Sequence, residues 1–443
     1  MSQDFDAKLS AVKEAILKRP PFVSGTLGVS DVDLKLYYGD VDDARCINLG
    51  HATPDRLDAL TSVCQPATFG VNQRDVLDET YRKAGNLDIS MFASLLKVEK
   101  YGLIDTIRDQ LLQERGESTQ QISYELYKLN VYDRDSFFKP HKDTPRSDKM
   151  FGSLVVIFPT PHEGGALVLR EDGREWTFDY AAELAASSDS PNIAYVAFFG
   201  DIEHEVRPVT SGHRVTLTYN LYFDGAPAAR RMQGSAAMTV PRSVEDGDAR
   251  LAVALRELLQ DPTLLPQGGL LAFGLRFMYP LKHEAPLQDM VAHMKGSDAM
   301  VVRVCQMLGL DGRLGLVYAE ETWCLPYDNN PRYDISIVVD RFVDTEYADD
   351  ERPFYEQLLR EYGGERVRDM GSKLLELETR YAYKPNVKEI LPSTEVFWAT
   401  ELTKMNTVKE TFLAFGNQAD LEHQYGHLAY FVQVKRGAQA PAA

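Results

Sequence analysis

Ile122-Ser-Tyr-Glu-Leu-Tyr-Lys-Leu-Asn-Val-Tyr132, followed by the cluster Asp133-Arg-Asp-Ser136, decides how this chain is read. Aromatic and β-branched residues crowd the run and polar turn formers end it, so it predicts a strand entering a loop. Downstream, Phe151-Gly-Ser-Leu-Val-Val-Ile-Phe158, the turn Glu163-Gly-Gly165 and Ala166-Leu-Val-Leu-Arg170 read as a β-meander. Asn192-Ile-Ala-Tyr-Val-Ala-Phe-Phe199 is a further strand, and Gly200-Asp-Ile-Glu203 turns it into His204-Glu-Val-Arg-Pro-Val209. Thr210-Ser-Gly212 then reverses the chain into His213-Arg-Val-Thr-Leu-Thr-Tyr-Asn-Leu-Tyr-Phe223. About six or seven short strands separated by turn signals predict an all-β barrel or jelly roll over residues 116–224.

Working outward, the loop after the first of these strands carries His141-Lys142-Asp143, and the starts of later strands carry His204 and then Arg214. Two imidazoles and one carboxylate suit a non-haem Fe(II) centre with open coordination positions. On an extended strand, residues i and i+2 share a face, which lets His141 and Asp143 reach one ion. Each candidate ligand falls at a strand end, where a barrel mouth can converge them. The spacing alone is weak in a chain with nine histidines, and its surroundings give it weight. Arg214 lies ten residues after His204 and shares a strand face with Thr216 and Thr218. A guanidinium fork beside two hydroxyls can hold a carboxylate bidentately.

The HxD triplet, the distal histidine and an arginine set in Gly212-His-Arg-Val-Thr-Leu-Thr-Tyr219 resemble the prolyl 4-hydroxylase-like Fe(II)/2-oxoglutarate oxygenases. The resemblance covers about a quarter of the 443 residues. It implies a double-stranded β-helix (jelly-roll) catalytic core, with His141, Asp143 and His204 as the iron ligands and Arg214 binding the far carboxylate of 2-oxoglutarate. It also implies that Tyr132 lines the cosubstrate pocket, that Fe(II), 2-oxoglutarate and O₂ are needed, and that ascorbate can support them. The family couples decarboxylation of 2-oxoglutarate to succinate and CO₂ with hydroxylation of an unactivated C–H bond, here of a protein prolyl residue or of a small molecule such as a free amino acid or natural product. A carboxylate at Asp143, where Ala or Gly would open a halide position, favours hydroxylation over halogenation. One departure stands out. Many prolyl hydroxylases carry a second pocket tyrosine where this chain has Val155-Val156-Ile157-Phe158, which predicts a more apolar wall. Lys128 shares parity with Asn130 and Tyr132 and so can point inward to cosubstrate or substrate; the plainer reading is a stem snorkelling out of the barrel end.

Structural explanations compete at each position. His141 can cap a loop, Asp143 can accept in a turn before Thr144-Pro145, and Arg214 can pair with Glu203 or Glu205 across the hairpin. His213 has the opposite parity to Arg214, which predicts an outward or satisfied role. His423 and His427 have the spacing of helical metal ligands, but Gly426 lies between them and a strand-like run follows.

The formal charge of −18 disfavours polyanionic partners, so no nucleic acid is expected. Met1-Ser-Gln-Asp-Phe-Asp-Ala-Lys8 is polar and acidic, unlike a signal peptide, and no apolar stretch is long enough to cross a membrane. Cys46, Cys64, Cys305 and Cys324 lack metal-type spacing and are too sparse for a disulfide framework, which points to a cytoplasmic or nuclear location. Nothing in the sequence sets an oligomeric state.

Residues 1–115 mix helix and strand: Ala7–Lys18 is amphipathic, Asp33–Tyr38 alternates, and Pro54–Cys64 has Thr53 as a cap. Phe69–Tyr81 with Arg82-Lys-Ala-Gly85 resembles an N-terminal region of fungal-type family members, and a helical layer buttressing the barrel is the expectation. Asp224–Gly234 has linker composition. Residues 235–443 then read as a non-catalytic α+β unit, or a degenerate second barrel, since no second HxD, His and Arg set occurs there. The whole is an α+β chain whose function is either oxygenation or metal and dicarboxylate binding as a sensor or scaffold.

Overall fold

A computed structural model describes residues 2–17, 20–71, 74–112, 120–144, 146–147, 149–171, 173–186, 191–227, 243–277, 279, 286–319, 335–341, 343, 358–371, 376–378, 388–390, 392–402, 407–411 and 423–436. The chain divides into two compact units, one of Pro20–Thr239 and one of Met1–Arg19 with Val240–Ala443. This differs from the three regions expected, because the first helix belongs with the C-terminal residues. Gln3–Leu17 turns Phe5, Val12 and Ile16 inward, with Phe5 edge-on to Phe397 at 5.4 Å, and Lys8 pairs with Asp261 at 2.8 Å. Residues 20–112 do not form a helical layer either. Helical pieces such as Pro54–Thr61 and Leu103–Ile107 are present, but several short strands join the barrel itself because their backbones complete its ladders.

The unit Pro20–Thr239 holds a jelly-roll core built on two antiparallel sheets. The larger runs in the order Phe22–Gly28, Asn192–Phe199, Met150–Ile157, Arg214–Pro227, Gln120–Tyr132, Gly85–Asp88, Gln65–Pro66. The smaller runs Arg174–Phe178, Leu167–Glu171, Glu203–Val206, Phe137–His141, Arg82–Lys83. On the central strands of the larger sheet, Leu129, Val131, Leu154, Val156, Val215 and Leu217 alternate with residues that face a cavity, and they too are buried. That is why these strands read as nearly continuous apolar runs.

Two expectations need correction here. Met150–Ile157 and Leu167–Glu171 are not neighbours in a meander: they lie in different sheets. Gly164 (φ 73°) and Gly165 (φ 71°) take the left-handed turn that carries the chain from one sheet to the other. The last strand also runs to Pro227, into the expected linker, because its backbone pairs as far as Gln120. The rest of that linker lies outside the described residues, as does Cys324.

In the other unit, Gly269–Gly274, Thr394–Thr400, Glu365–Asp369, Ile335–Val339, Gly312–Ala319 and His423–Val434 form a ring, closed where the first pairs with the last. Its interior is apolar, with Leu270, Ala272, Val317, Val338, Val367, Val396, Ala429 and Phe431 packed together. Two of its pairings are parallel, a connectivity unlike the antiparallel sheets of the other unit. His423 and His427 are on a strand, which removes the helical metal-pair reading. Among the described residues, no helix is long and apolar enough to cross a membrane.

Candidate metal and cosubstrate site

Strand pairing brings the two histidines together. His141 ends Phe137–His141, and its register partner in Glu203–Val206 is His204. Their rings lie 4.1 Å apart between centroids. Each Nδ1–H donates to the carbonyl two residues earlier, His141 to Lys139 at 2.8 Å and His204 to Ile202 at 2.9 Å. This tautomer leaves both Nε2 lone pairs free. Phe138 stacks on His141 at 3.5 Å and Phe198 packs on His204 at 4.7 Å, fixing both rings. Burial, reinforced by the neighbouring His204, pushes the His141 imidazolium down to about 2, so the ring is held in its neutral, ligating form.

Asp143 reaches the same point by a different route from the one expected. It lies beyond the strand end, and its N–H donates to the Gly200 carbonyl at 3.0 Å instead of extending the ladder. Ser153 Oγ donates to its Oδ2 at 2.6 Å, while Oδ1 lies 3.6 Å from His204 Nε2. One ligand atom from each of His141, Asp143 and His204 falls within 4.8 Å of the others, and no second such group of metal-ligating side chains is found among the described residues. Because Ser153 occupies one carboxylate oxygen, Ser153→Ala is expected to weaken Mn(II) binding by about 10- to 100-fold. Titration followed by electron paramagnetic resonance checks this, and unchanged affinity would show that Asp143 needs no such support.

A cavity opens beside the triad, with about 640 Å³ of empty space that includes its open mouth. Arg214, Thr216 and Thr218 from one strand line it, together with Tyr132, Asn130 and Lys128 from the next, as does Val155 on the wall expected to be apolar. Arg214 is 2% exposed and sits over the Tyr132 ring at 5.5 Å. Its pKa is lowered by burial, and one terminal nitrogen, Nη2, is buried with no hydrogen-bond partner. The pairing with Glu203 or Glu205 does not occur: both carboxylates face Arg170. Gly165 makes the room, since a Cβ there would lie 2.8 Å from Arg214 Cδ. His213 faces away and pairs with Asp58 at 3.1 Å, and His162 is tied to the Thr160 carbonyl at 2.7 Å.

The lining residues that sequence reasoning missed include Ser153, Arg82 and Asn130. Ser153 shares inward parity with Val155, a signal that was available. Arg82 and Asn130 meet across the sheets at 2.8 Å, and Arg82 also donates to the Thr68 carbonyl and lies over Phe138 at 4.4 Å. A two-residue strand, Arg82–Lys83, has no periodicity by which to be found.

The residues present fit Fe(II) and 2-oxoglutarate. Two neutral imidazoles and a carboxylate converge with open space beside them, and a buried, underused guanidinium waits for an anion in the same cavity. Residues 127–222 match the model of the 2OG-Fe(II) oxygenase superfamily. Similar solved structures include a prolyl 4-hydroxylase from Pseudomonas putida, with 19% identity, 48% of this chain and 98% of that chain covered, and a TM-score of 0.30. Another is a prolyl hydroxylase from Trichoplax adhaerens, in complex with a hypoxia inducible factor oxygen degradation domain peptide fragment, with 13% identity, 50% and 90% covered, and a TM-score of 0.30. A third is a 2OG-Fe(II) oxygenase family oxidoreductase from Burkholderia pseudomallei, with 16% identity, 51% and 94% covered, and a TM-score of 0.25. No curated protein matches the chain.

Proposed function

We propose that this protein is an Fe(II)- and 2-oxoglutarate-dependent dioxygenase that hydroxylates an unactivated C–H bond, of a prolyl residue in a protein, with release of succinate and CO₂. The observation that carries the reading is the convergence of His141, Asp143 and His204 on the cavity that also holds the unmatched Arg214 guanidinium. The prolyl target rests on the likeness of the HxD, His and Arg motifs to the prolyl hydroxylases.

When bound, Fe(II) with 2-oxoglutarate and O₂ supplies the oxidation of the C–H bond, coupled to decarboxylation. His141, Asp143 and His204 would hold the metal through two Nε2 atoms and one carboxylate. Ser153 keeps the Asp143 carboxylate turned toward the histidines. Arg214 would take the distal carboxylate of 2-oxoglutarate, with Tyr132 and Thr216 packed around it and Thr218 held by Asn130 at 3.1 Å. Val155, Leu167, Phe198 and Val206 line the cavity and exclude water from the reacting centre.

The C-terminal unit is read as non-catalytic, because its barrel is filled by its own apolar core. A reducing compartment, cytoplasmic or nuclear, suits Cys46, Cys64 and Cys305, which are all free.

Purified protein given Fe(II), 2-oxoglutarate and O₂, with ascorbate to sustain the rate, is expected to form succinate even without a prime substrate. A scaffold that only binds metal and dicarboxylate forms none, and that result would reject the dioxygenase reading.

A further inference from the structure

The cavity carries more positive charge than the chemistry above uses. Its lining holds three cations, Arg82, Lys128 and Arg214, against the one carboxylate of Asp143. The charges of Fe(II) and of the 2-oxoglutarate dianion cancel, and both ends of the cosubstrate are already engaged, at Arg214 and at the triad. Arg82 and Lys128 are then uncompensated, in a chain whose acidic residues outnumber its basic ones, 66 to 48. A cation held in a partly enclosed cavity without a counter-charge is costly, and it raises the local concentration of anions.

The two cations differ in how they are used. Arg82 ties the smaller sheet to the larger through Asn130 and rests on Phe138, so it serves as a clamp with neutral acceptors. Lys128 makes no such tie. It stands opposite Thr218 in the ladder and enters the cavity, and its ammonium lies 5.1 Å from the centroid of the Tyr127 ring. The Arg146 guanidinium lies over the same ring at 4.2 Å and donates to the Tyr127 hydroxyl. Among the described residues, no carboxylate pairs with Lys128 or Arg146. Tyr127 is thus an aromatic ring shared by two cations, and it lines the cavity.

We propose that Lys128, assisted by Arg146 beside the same Tyr127 ring, binds a carboxylate carried by the substrate, so that acid-bearing substrates are the class this oxygenase selects. The proposal rests on the dioxygenase reading for the location of the reacting centre, but carboxylate recognition itself needs no turnover. The carboxylate has two chemical sources, the free α-carboxylate of an amino acid or an acidic side chain next to the target residue of a peptide.

The test is calorimetric binding under anaerobic conditions, with Mn(II) and 2-oxoglutarate bound to the whole protein. Two probe pairs are compared: L-proline with L-prolinamide, and N-acetyl-Ala-Pro-Glu amide with the same peptide carrying glutamine in place of glutamate. In one of the pairs the acid is expected to bind roughly tenfold more tightly than its neutral counterpart, and that pair identifies the source. The preference should shrink at about 0.5 M salt, vanish in Lys128→Met and return in Lys128→Arg. The idea is overturned by the absence of an acid preference in both pairs, including absence of binding at about 10 mM probe, or by a preference that survives Lys128→Met. The comparison in the natural protein stands even if a variant misfolds. Failure of the dioxygenase reading shows elsewhere, as absent succinate in the Fe(II) assay.

Discussion

His141→Ala is expected to leave a folded protein that neither retains Fe(II) nor forms succinate. The substitution removes one of the three side chains proposed to hold the metal, in a site whose two histidines are aligned by one register match, His141 with His204. Two remaining side chains cannot hold a labile divalent ion against solvent, and loss of a supporting group alone already costs about 10- to 100-fold in affinity. A lost ligand should therefore lower succinate formation by more than about 100-fold. The fold should persist, because the strand Phe137–His141 is also held through Phe138 by the Phe69 and Tyr81 rings and by Arg82. What His141 itself contributes there is its ring contacts with Phe138 and His204 and one hydrogen bond to the Lys139 carbonyl, about 1 kcal/mol each. Equilibrium dialysis of the metal and a succinate assay, with circular dichroism as the control for folding, give the answer. Full succinate formation by the variant would remove the site assignment.

Arg214→Met should act in two opposite directions. The natural guanidinium is buried, has an unpartnered Nη2 and, among the described residues, forms no ion pair, with the Asp179 charge offsetting only part of the burial, so without 2-oxoglutarate it is a desolvated charge that lowers stability. An apolar side chain of similar length fills the space beside Gly165 and removes that cost. The unliganded variant should therefore unfold at the same temperature as the natural protein or a few degrees above it. The rise in unfolding temperature that 2-oxoglutarate gives the natural protein should disappear, since that rise follows occupancy. Removing one partner of a buried charge pair costs about 2–5 kcal/mol, so the KM for 2-oxoglutarate should increase by about 30-fold or more. An unchanged KM would show that the distal carboxylate is bound elsewhere. A lower unfolding temperature without ligand would show that Arg214 has a stabilising partner of its own.

That His141, Asp143, His204 and Arg214 stand out as candidates in the sequence follows from uncommon residue types at short, fixed spacings, embedded in strands with a clear period of two, and the structure brings the four to one cavity. The same period tells which face a residue takes but not which strand lies beside it. That is why Met150–Ile157 and Leu167–Glu171, close in sequence and joined by a glycine turn, read as a meander while they lie in different sheets. It is also why Phe137–His141, five residues with a proline among them, read as a loop. Ser153 was legible by parity, but a serine in an apolar strand does not reveal that its hydroxyl meets Asp143.

What the sequence by itself determined is the set of groups able to bind metal and dicarboxylate, and the face of the strand that each occupies. Both follow from side-chain chemistry and from backbone geometry over a few residues. Only the tertiary structure decided that Asp143 is aimed by Gly200 and Ser153, that Gly165 makes room for Arg214, and that Arg82 bridges the two sheets. It also decided that the first helix packs with the C-terminal unit. Those arrangements depend on which distant backbones pair and which apolar faces meet, and no local pattern of residues encodes the partner.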